Sequence, residues 1–295
     1  MGTLEGHLMP GVGFLLYSLY YSVLTSLALL REQKVLKHPM LPRKLCGHRL
    51  LPQVSYEALI KVLMGTLTVV CELFYPPGEN RLQMIDWKDP RRPFIFKDNW
   101  QHVTMFGFFA FSGVVDLVSQ SRLVRSWGEK LEHAAEALAF YVLVVLMATH
   151  TENKSSLEIR VHLLLMVPSF LLALVTTVEV WLPNHPPIWI LKCLLGLVFS
   201  NWLFQICEMY VPLTGQPWRS DSPADRAFLS VFFCWYIAFS IALFIAVYGL
   251  CSLWHCHYSS WKKTPGARYQ RCRIESSCEE LEKLKAEALL QDGVV

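Results

Sequence analysis

Charge is scarce in this sequence. Asp, Glu, Lys and Arg make up 17% of its 295 residues while apolar residues make up 53%, a balance too hydrophobic for an ordinary soluble domain. Nucleotide signatures are missing too. There is no P-loop and no dinucleotide fingerprint, and Gly6, Gly11 and Gly13 introduce a long apolar run rather than a βα turn. A soluble nucleotide-driven enzyme is thereby excluded, and no nucleic acid partner is expected. No acidic-Arg-aromatic triplet closes the third apolar run and no Asn-Pro-x-x-Tyr closes the seventh, which removes the G-protein-coupled receptors. Residues 1–7 contain no Lys or Arg, so a secretory signal peptide is not expected and the first apolar run is kept as a helix. Gly6 also stands where a myristoylation pattern needs Ser or Thr.

What is present is a series of apolar stretches. Windows near 9–30, 54–74, 101–120, 131–149, 161–181, 188–211 and 227–254 each supply the roughly 20 residues that cross a hydrocarbon core of about 30 Å. They predict an all-α, polytopic membrane protein: seven transmembrane helices in one bundle over residues 1–254, followed by a basic tail over 255–295. Loops of about 5–25 residues leave no room for another domain. Pro39, Pro42, Pro76, Pro77, Pro183, Pro186, Pro187 and Pro212 mark helix ends, and Pro168 alone is expected within a span, where it kinks the fifth helix.

Basic residues set an expected orientation. Arg31, Lys34, Lys37, Arg43, Lys44 and Arg49 crowd the first loop, Arg122, Arg125 and Lys130 the third, and Lys262, Lys263, Arg268, Arg271 and Arg273 the tail. The opposite side is poorer or mixed, so the N-terminus is expected to be exoplasmic and the C-terminus cytoplasmic. In that topology Cys46, Cys256, Cys272 and Cys278 are cytoplasmic, and Cys71, Cys193, Cys207, Cys234 and Cys251 lie in helices or at their edges. No structural disulfide is expected, and the bundle relies on close contact and interhelical hydrogen bonds. The sequon Asn153-Lys154-Ser155 falls outside, but its closeness to the fourth helix argues against its use.

Ionisable groups in a span cost about 2.5–3.5 kcal/mol each at the helix centre, so each asks for a reason. Helices that alternate in direction bring Glu72, His150, Gln205 and Glu208 to the outer ends of the second, fourth and sixth. The same alternation brings His102 and His162 to the outer beginnings of the third and fifth, with His7 preceding the first. Imidazoles with a carboxylate are the ligand set of catalytic zinc and of several iron sites. Glu72, His102, His150 and His162 are therefore candidate ligands for zinc or another divalent metal. No HxxxH or HExxH motif joins them, and a structural hydrogen-bond network at the rim is the competing account. Haem is a weaker fit, because the histidines lie at depths too similar to define an axial pair across stacked haems.

A second, inner group comprises Asp116, Glu136, Glu179, Lys192, Glu57 and Lys61. Glu57 and Lys61, one turn apart, are expected to neutralise each other, and Asp116 and Glu136 to meet loop cations such as Arg122 or Arg125. Asp116, Glu136, Glu179, Gln205 and Glu208 make a candidate polar relay, with ordinary interhelical hydrogen bonding as the plainer reading. In the tail, residues 278–290 carry strong helix formers and a Glu279–Lys283 pair, which describe a short partner-binding helix or a partly disordered segment. Cys251, Cys256, Cys272 and Cys278 are candidate palmitoylation sites, and His255-Cys256-His257, between Trp254 and Tyr258, reads as an interfacial belt.

Taken in order, Gly6-His7-Leu8-Met9-Pro10-Gly11, Asn99-Trp100-Gln101-His102, Ser112-Gly113-Val114-Val115-Asp116, Trp202-Leu203-Phe204-Gln205 and Phe233-Cys234-Trp235 resemble the transmembrane protein 45 family, nearest to its epididymal transmembrane branch. The resemblance covers roughly residues 1–254. It implies a seven-pass architecture in plasma or Golgi-type membranes, without an agreed activity or a catalytic residue. It also implies further histidines where this chain has Ala148, Arg160 and Tyr236. Arg160, two residues before His162, repels a bound dication unless it faces away.

The first reading is thus a non-enzymatic multi-pass protein of the plasma membrane or secretory-pathway membranes. It acts in trafficking or as a membrane partner, with the lipid bilayer around it and a cytoplasmic protein on its tail. Two readings compete: an intramembrane metal-dependent hydrolase using the outer His/Glu cluster on an amphipathic substrate, and a proton-coupled transporter using the inner carboxylates.

Overall fold

The computed structural model describes residues 4–36, 38–40, 54–122, 125–213, 215 and 218–262. Among them are seven helices: α1 (Leu4–Leu30), α2 (Tyr56–Phe74), α3 (Lys97–Arg122), α4 (Arg125–His150), α5 (Ser156–Glu179), α6 (Pro186–Tyr210) and α7 (Pro223–Lys262). Six are long and apolar enough to cross a membrane. The exception, α2, has 19 residues and three charges, Glu57, Lys61 and Glu72. All three turn inward, while Ile60, Leu63, Leu67, Val70 and Phe74 are exposed along the opposite face. That arrangement is an amphipathic helix turned inside out, as expected of a span whose solvent is lipid.

Several helices start earlier than their apolar windows because their first turns are polar. The correction that bears on the site is at α1. His7 does not precede this helix but lies in its first turn, and Pro10 as well as Pro168 lies inside a helix. Gly11 explains why a glycine-rich start stays helical: an added Cβ there would stand 3.3 Å from Cβ of Leu203, so the missing side chain lets α1 lie close against α6. At its start α5 has a capping box, in which Ser155 Oγ accepts from Glu158 N and Glu158 Oε2 accepts from Ser155 N.

Helices α2 to α6 pack in chain order and α1 returns to α6, which makes a ring loosely sealed between α1 and α2. Trp189, Trp202, Phe199, Leu165, Leu197 and Ile206 fill its centre, and the Trp202 indole donates to the carbonyl of Val161 at 2.9 Å. Helix α7 reaches the ring through side chains: Phe233 against Trp202 (centroids 5.0 Å apart), and Ser240 Oγ accepting from Asn201 Nδ2 at 3.0 Å. Residues 4–249 belong to one compact unit, and 250–262 are the described part of a second. Lys37, Arg43, Lys44 and Arg49 of the first loop, Cys46, Cys272, Cys278 and the tail helix expected at 278–290 lie outside the described residues.

The tightest seam joins α2 to α3. A Cβ on Gly65 would stand 2.8 Å from Ala110 N, and one on Gly113 would stand 2.9 Å from Val62 N. Backbone lies against backbone there, as small residues permit in membranes. A Gly113→Leu substitution is expected to separate the two helices and destabilise the protein by about 1–3 kcal/mol, read as a lowered thermal midpoint in detergent. Gly107→Leu, where nothing lies within 4 Å of the added Cβ, is expected to be neutral. Equal losses at the two positions would contradict the seam.

Candidate metal centre

By holding α2 against α3, the glycine seam places Glu72 beside His102. His102 Nδ1 lies 3.0 Å from Glu72 Oε1, and the other carboxylate oxygen accepts from Asn99 Nδ2 at 2.9 Å. From α4, His150 stacks near His102 with ring centroids 4.9 Å apart. His162 of α5 follows at 5.2 Å from His150, and His7 of α1 lies 5.6 Å from His162 and 6.0 Å from His102. All four imidazoles are buried. One ligand atom from each of His7, His150 and His162 lies within 4.8 Å of the others.

The hydrogen bonds fix the tautomers. Thr149 Oγ1 donates to the carbonyl of Leu146 and so accepts from Gln101 Nε2. This leaves Gln101 Oε1 to accept from His150 Nδ1 at 2.8 Å. His162 Nδ1 donates to the carbonyl of Glu158 at 2.7 Å, the same residue that closes the α5 capping box. In both neutral rings the proton sits on Nδ1 and the Nε2 lone pair is free. Both Nε2 atoms are buried without a hydrogen-bond partner. Imidazoles anchored through one nitrogen, with the other lone pair unpaired, are arranged as metal ligands are, and the donor set suits zinc. On zinc, nitrogens stand about 3.3 Å apart, so the three heads, which lie within 4.8 Å of one another, need a closure of at most about 1.5 Å.

Of the four sequence-derived ligand candidates, His150 and His162 enter the triad directly. His102 borders it, and Glu72 orients His102. His7, which precedes the expected first span of 9–30, is not among those four candidates, and α1 carries it into the triad because the helix begins at Leu4. Arg160 is exposed and donates to Ser230 Oγ on α7 at 3.0 Å, which turns it away from His162.

The inner charges form a separate chain. Lys61 Nζ lies 2.8 Å from Glu57, 3.0 Å from Asp116 and 3.5 Å from Glu136. Lys192 Nζ lies 3.0 Å from Glu136 and 2.8 Å from Glu179, and Glu179 is 3.3 Å from His133 Nδ1. Asp116 and Glu136 thus pair with buried lysines, correcting the expectation that they meet loop cations: Lys61 and Lys192 turn into the ring at the same depth. Tyr17 and Tyr21 both donate to Glu57 Oε1 at 2.7 Å. Gln205 and Glu208 do not belong with this chain. They stand 13 and 16 residues beyond Lys192 on α6, about 20 and 24 Å away at 1.5 Å per residue, where Glu208 accepts from Leu213 N.

Between the two clusters runs a narrow slot of about 100 Å³ on the α1/α2 side of the ring, walled by Phe14, Phe106, Phe109, Phe140 and Leu172. Pro10, Thr68 and Phe106 line it about one turn from His7, Glu72 and His102, and Lys61, Glu136 and Lys192 line its other end. A second cavity, of about 450 Å³, reaches Glu179, His133 and His38 from the far side of the ion chain.

Seven helices whose charges meet inside and whose aliphatic faces point outward define a multi-pass integral membrane protein. The chain belongs to the family of unknown function DUF716, whose model matches residues 129–249. It is similar to transmembrane epididymal protein 1A of Mus musculus, at 33% identity over 99% of this chain and 94% of that protein. It is also similar to transmembrane epididymal protein 1 of Rattus norvegicus (32%, over 91% and 87%) and of Homo sapiens (33%, over 72% and 77%). This is the branch that the sequence motifs resemble.

Outside the spans, His38 Nδ1 makes a 2.8 Å charge contact with Glu57 Oε2. Burial lowers the His38 pKa, but the Glu57 carboxylate outweighs burial and holds it above the ordinary histidine value. The protonated ring is therefore favoured on folding. Its stabilisation is complete below the unfolded histidine pKa and is lost as pH rises through the folded one. The thermal stability lost in His38→Gln is expected to be greatest below the unfolded histidine pKa of about 6.5 and to fade as pH rises above it. A difference independent of pH would contradict the pair.

Proposed function

We propose that this protein is an intramembrane metal-dependent hydrolase whose divalent ion is held by His7, His150 and His162. The observation that carries the reading is the pair of buried Nε2 lone pairs, on His150 and His162, that no group among the described residues satisfies. An unpaired polar atom in a membrane interior is costly, and a zinc-class ion is the partner the donor set suits. Such an ion supplies Lewis acidity and lowers the pKa of water beside it. Gln101 and the carbonyl of Glu158 hold the two rings in the required tautomer. His102, oriented by Glu72, is placed at the edge of the triad to accept and return a proton.

The substrate class follows from the slot. Its phenylalanine walls suit a hydrocarbon chain better than a file of water, which favours an amphiphile entering sideways between α1 and α2 over a proton-coupled transport path through the inner carboxylates. The basic residues crowd the end opposite the histidines, supporting an exoplasmic histidine end.

The test is zinc content and hydrolysis in purified protein. About one zinc per chain is expected, with fatty-acid release from single-chain amide or ester amphiphiles that stops on chelation. The His150→Ala, His162→Ala double variant is expected to lose the metal while Arg81→Ala retains it. A folded wild type without metal after expression in zinc-supplemented medium would overturn the metal centre. A metal-loaded protein inert toward all such amphiphiles would overturn the hydrolase assignment.

A further inference from the structure

A larger cavity lies away from both clusters, on the flank between α6 and α7. It measures about 680 Å³, within the range of small-molecule sites. It exists because α7 approaches the ring through bulky side chains rather than backbone. Two carboxylates, Glu208 and Asp225, stand at its mouth with Trp218, Trp235 and Tyr236, and none of its described lining residues is Lys, Arg or His. Deeper in, Phe204 and Phe239 replace the polar groups. From Asp225 to Phe239 along α7 is 14 residues, about 21 Å, so the acidic mouth and the apolar floor are separated as headgroup and acyl chain are.

Aromatic rings beside a carboxylate are the setting that recognises quaternary ammonium; Arg219 acts on Asp225, which leaves Glu208 as the acidic partner for such a head. The rings cluster, with Trp218 edge-on to Phe232 at 5.8 Å and Phe232 6.3 Å from Phe228. Trp235 is 69% exposed although it stands in a wall of the cavity. A second observation points to a ligand: Gln205, 4% exposed, has its amide nitrogen buried without a protein partner. That donor suits an ester or phosphate oxygen, which the head of a phospholipid carries beside its ammonium. The carboxylates also serve donors of the chain itself, Glu208 accepting from Leu213 N and Asp225 from Arg219 N and Ser222 Oγ, so the buried amide is the group that an apolar wall packing on lipid tails would not need.

We propose that the α6/α7 cavity binds a choline-headgroup phospholipid, with the trimethylammonium against Trp218, Trp235 and Glu208 and the chains along Phe204 and Phe239. The site is independent of the histidine centre. Charge complementarity selects an ammonium head over an anionic one, and the aromatic faces select the methylated ammonium over ethanolamine.

The experiment is a lipid competition on full-length protein, delipidated in detergent and offered phosphatidylcholine, phosphatidylethanolamine and phosphatidylglycerol of identical chains, with retained lipid counted by native mass spectrometry. Phosphatidylcholine is expected to be retained about tenfold over the others, and to fall about tenfold in Glu208→Gln and in Trp235→Leu, with Trp235→Phe retaining most of it. Equal retention of the three lipids by the wild type overturns the proposal without recourse to any variant. So does displacement of the lipid by tetramethylammonium alone, which would make the cavity a small-cation site. Unchanged phosphatidylcholine retention in both folded variants would overturn the assignment of the head to this mouth.

Discussion

A lipid interior cannot hydrogen-bond, so every polar group taken into it must be answered from within the protein. In this bundle that constraint organises both ends. At one end two lysines and four carboxylates bridge five helices. Lys192 alone joins α6 to Glu136 on α4 and Glu179 on α5. Removing one partner from such a chain leaves a buried charge uncompensated, at a cost of about 3–5 kcal/mol. The chain is therefore as much a register lock as a source of stability. At the other end the same logic is left unfinished, because the Nε2 atoms of His150 and His162 find no protein partner in a region where Gln101, Thr149, Glu158, Asn99 and Glu72 each find theirs.

Glycines make the two ends compatible. Gly65 and Gly113 let α2 and α3 touch, which brings Glu72 to His102 and Lys61 to Asp116 in a single adjustment. Gly11 lets α1 close on α6 and carries His7 toward His162. Where the helices cannot close, space remains: the aromatic-walled slot on the α1/α2 side and the wider cleft beside α7. Function in this fold is read from those departures from close contact.

Much of this was legible in the sequence. Seven apolar windows correspond to the seven helices, and alternation of helix direction put Glu72, His102, His150 and His162 at one depth. Pairing was harder, because depth along a helix does not specify the direction a residue faces around it. Asp116 and Glu136 sit near basic loops in sequence, but rotation of α2 and α6 brings Lys61 and Lys192 to them first. Gln205 and Glu208 share a polar character with the inner carboxylates without sharing their depth. His7 stands before the apolar window that opens at residue 9, so the sequence pattern does not place it on a helix, whereas α1 begins at Leu4 and Gly11 lets it lie close against α6. The Ser155–Glu158 capping box was present in the sequence as a signal that α5 begins there, and with it the carbonyl that anchors His162.

The most direct test of the histidine centre is X-ray absorption at the zinc edge of the purified full-length protein. The account predicts a first shell of nitrogen and oxygen at about 2.0–2.1 Å, with the outer-shell scattering of about three imidazoles. A shell dominated by sulfur at about 2.3 Å, or a spectrum without imidazole scattering, would contradict it.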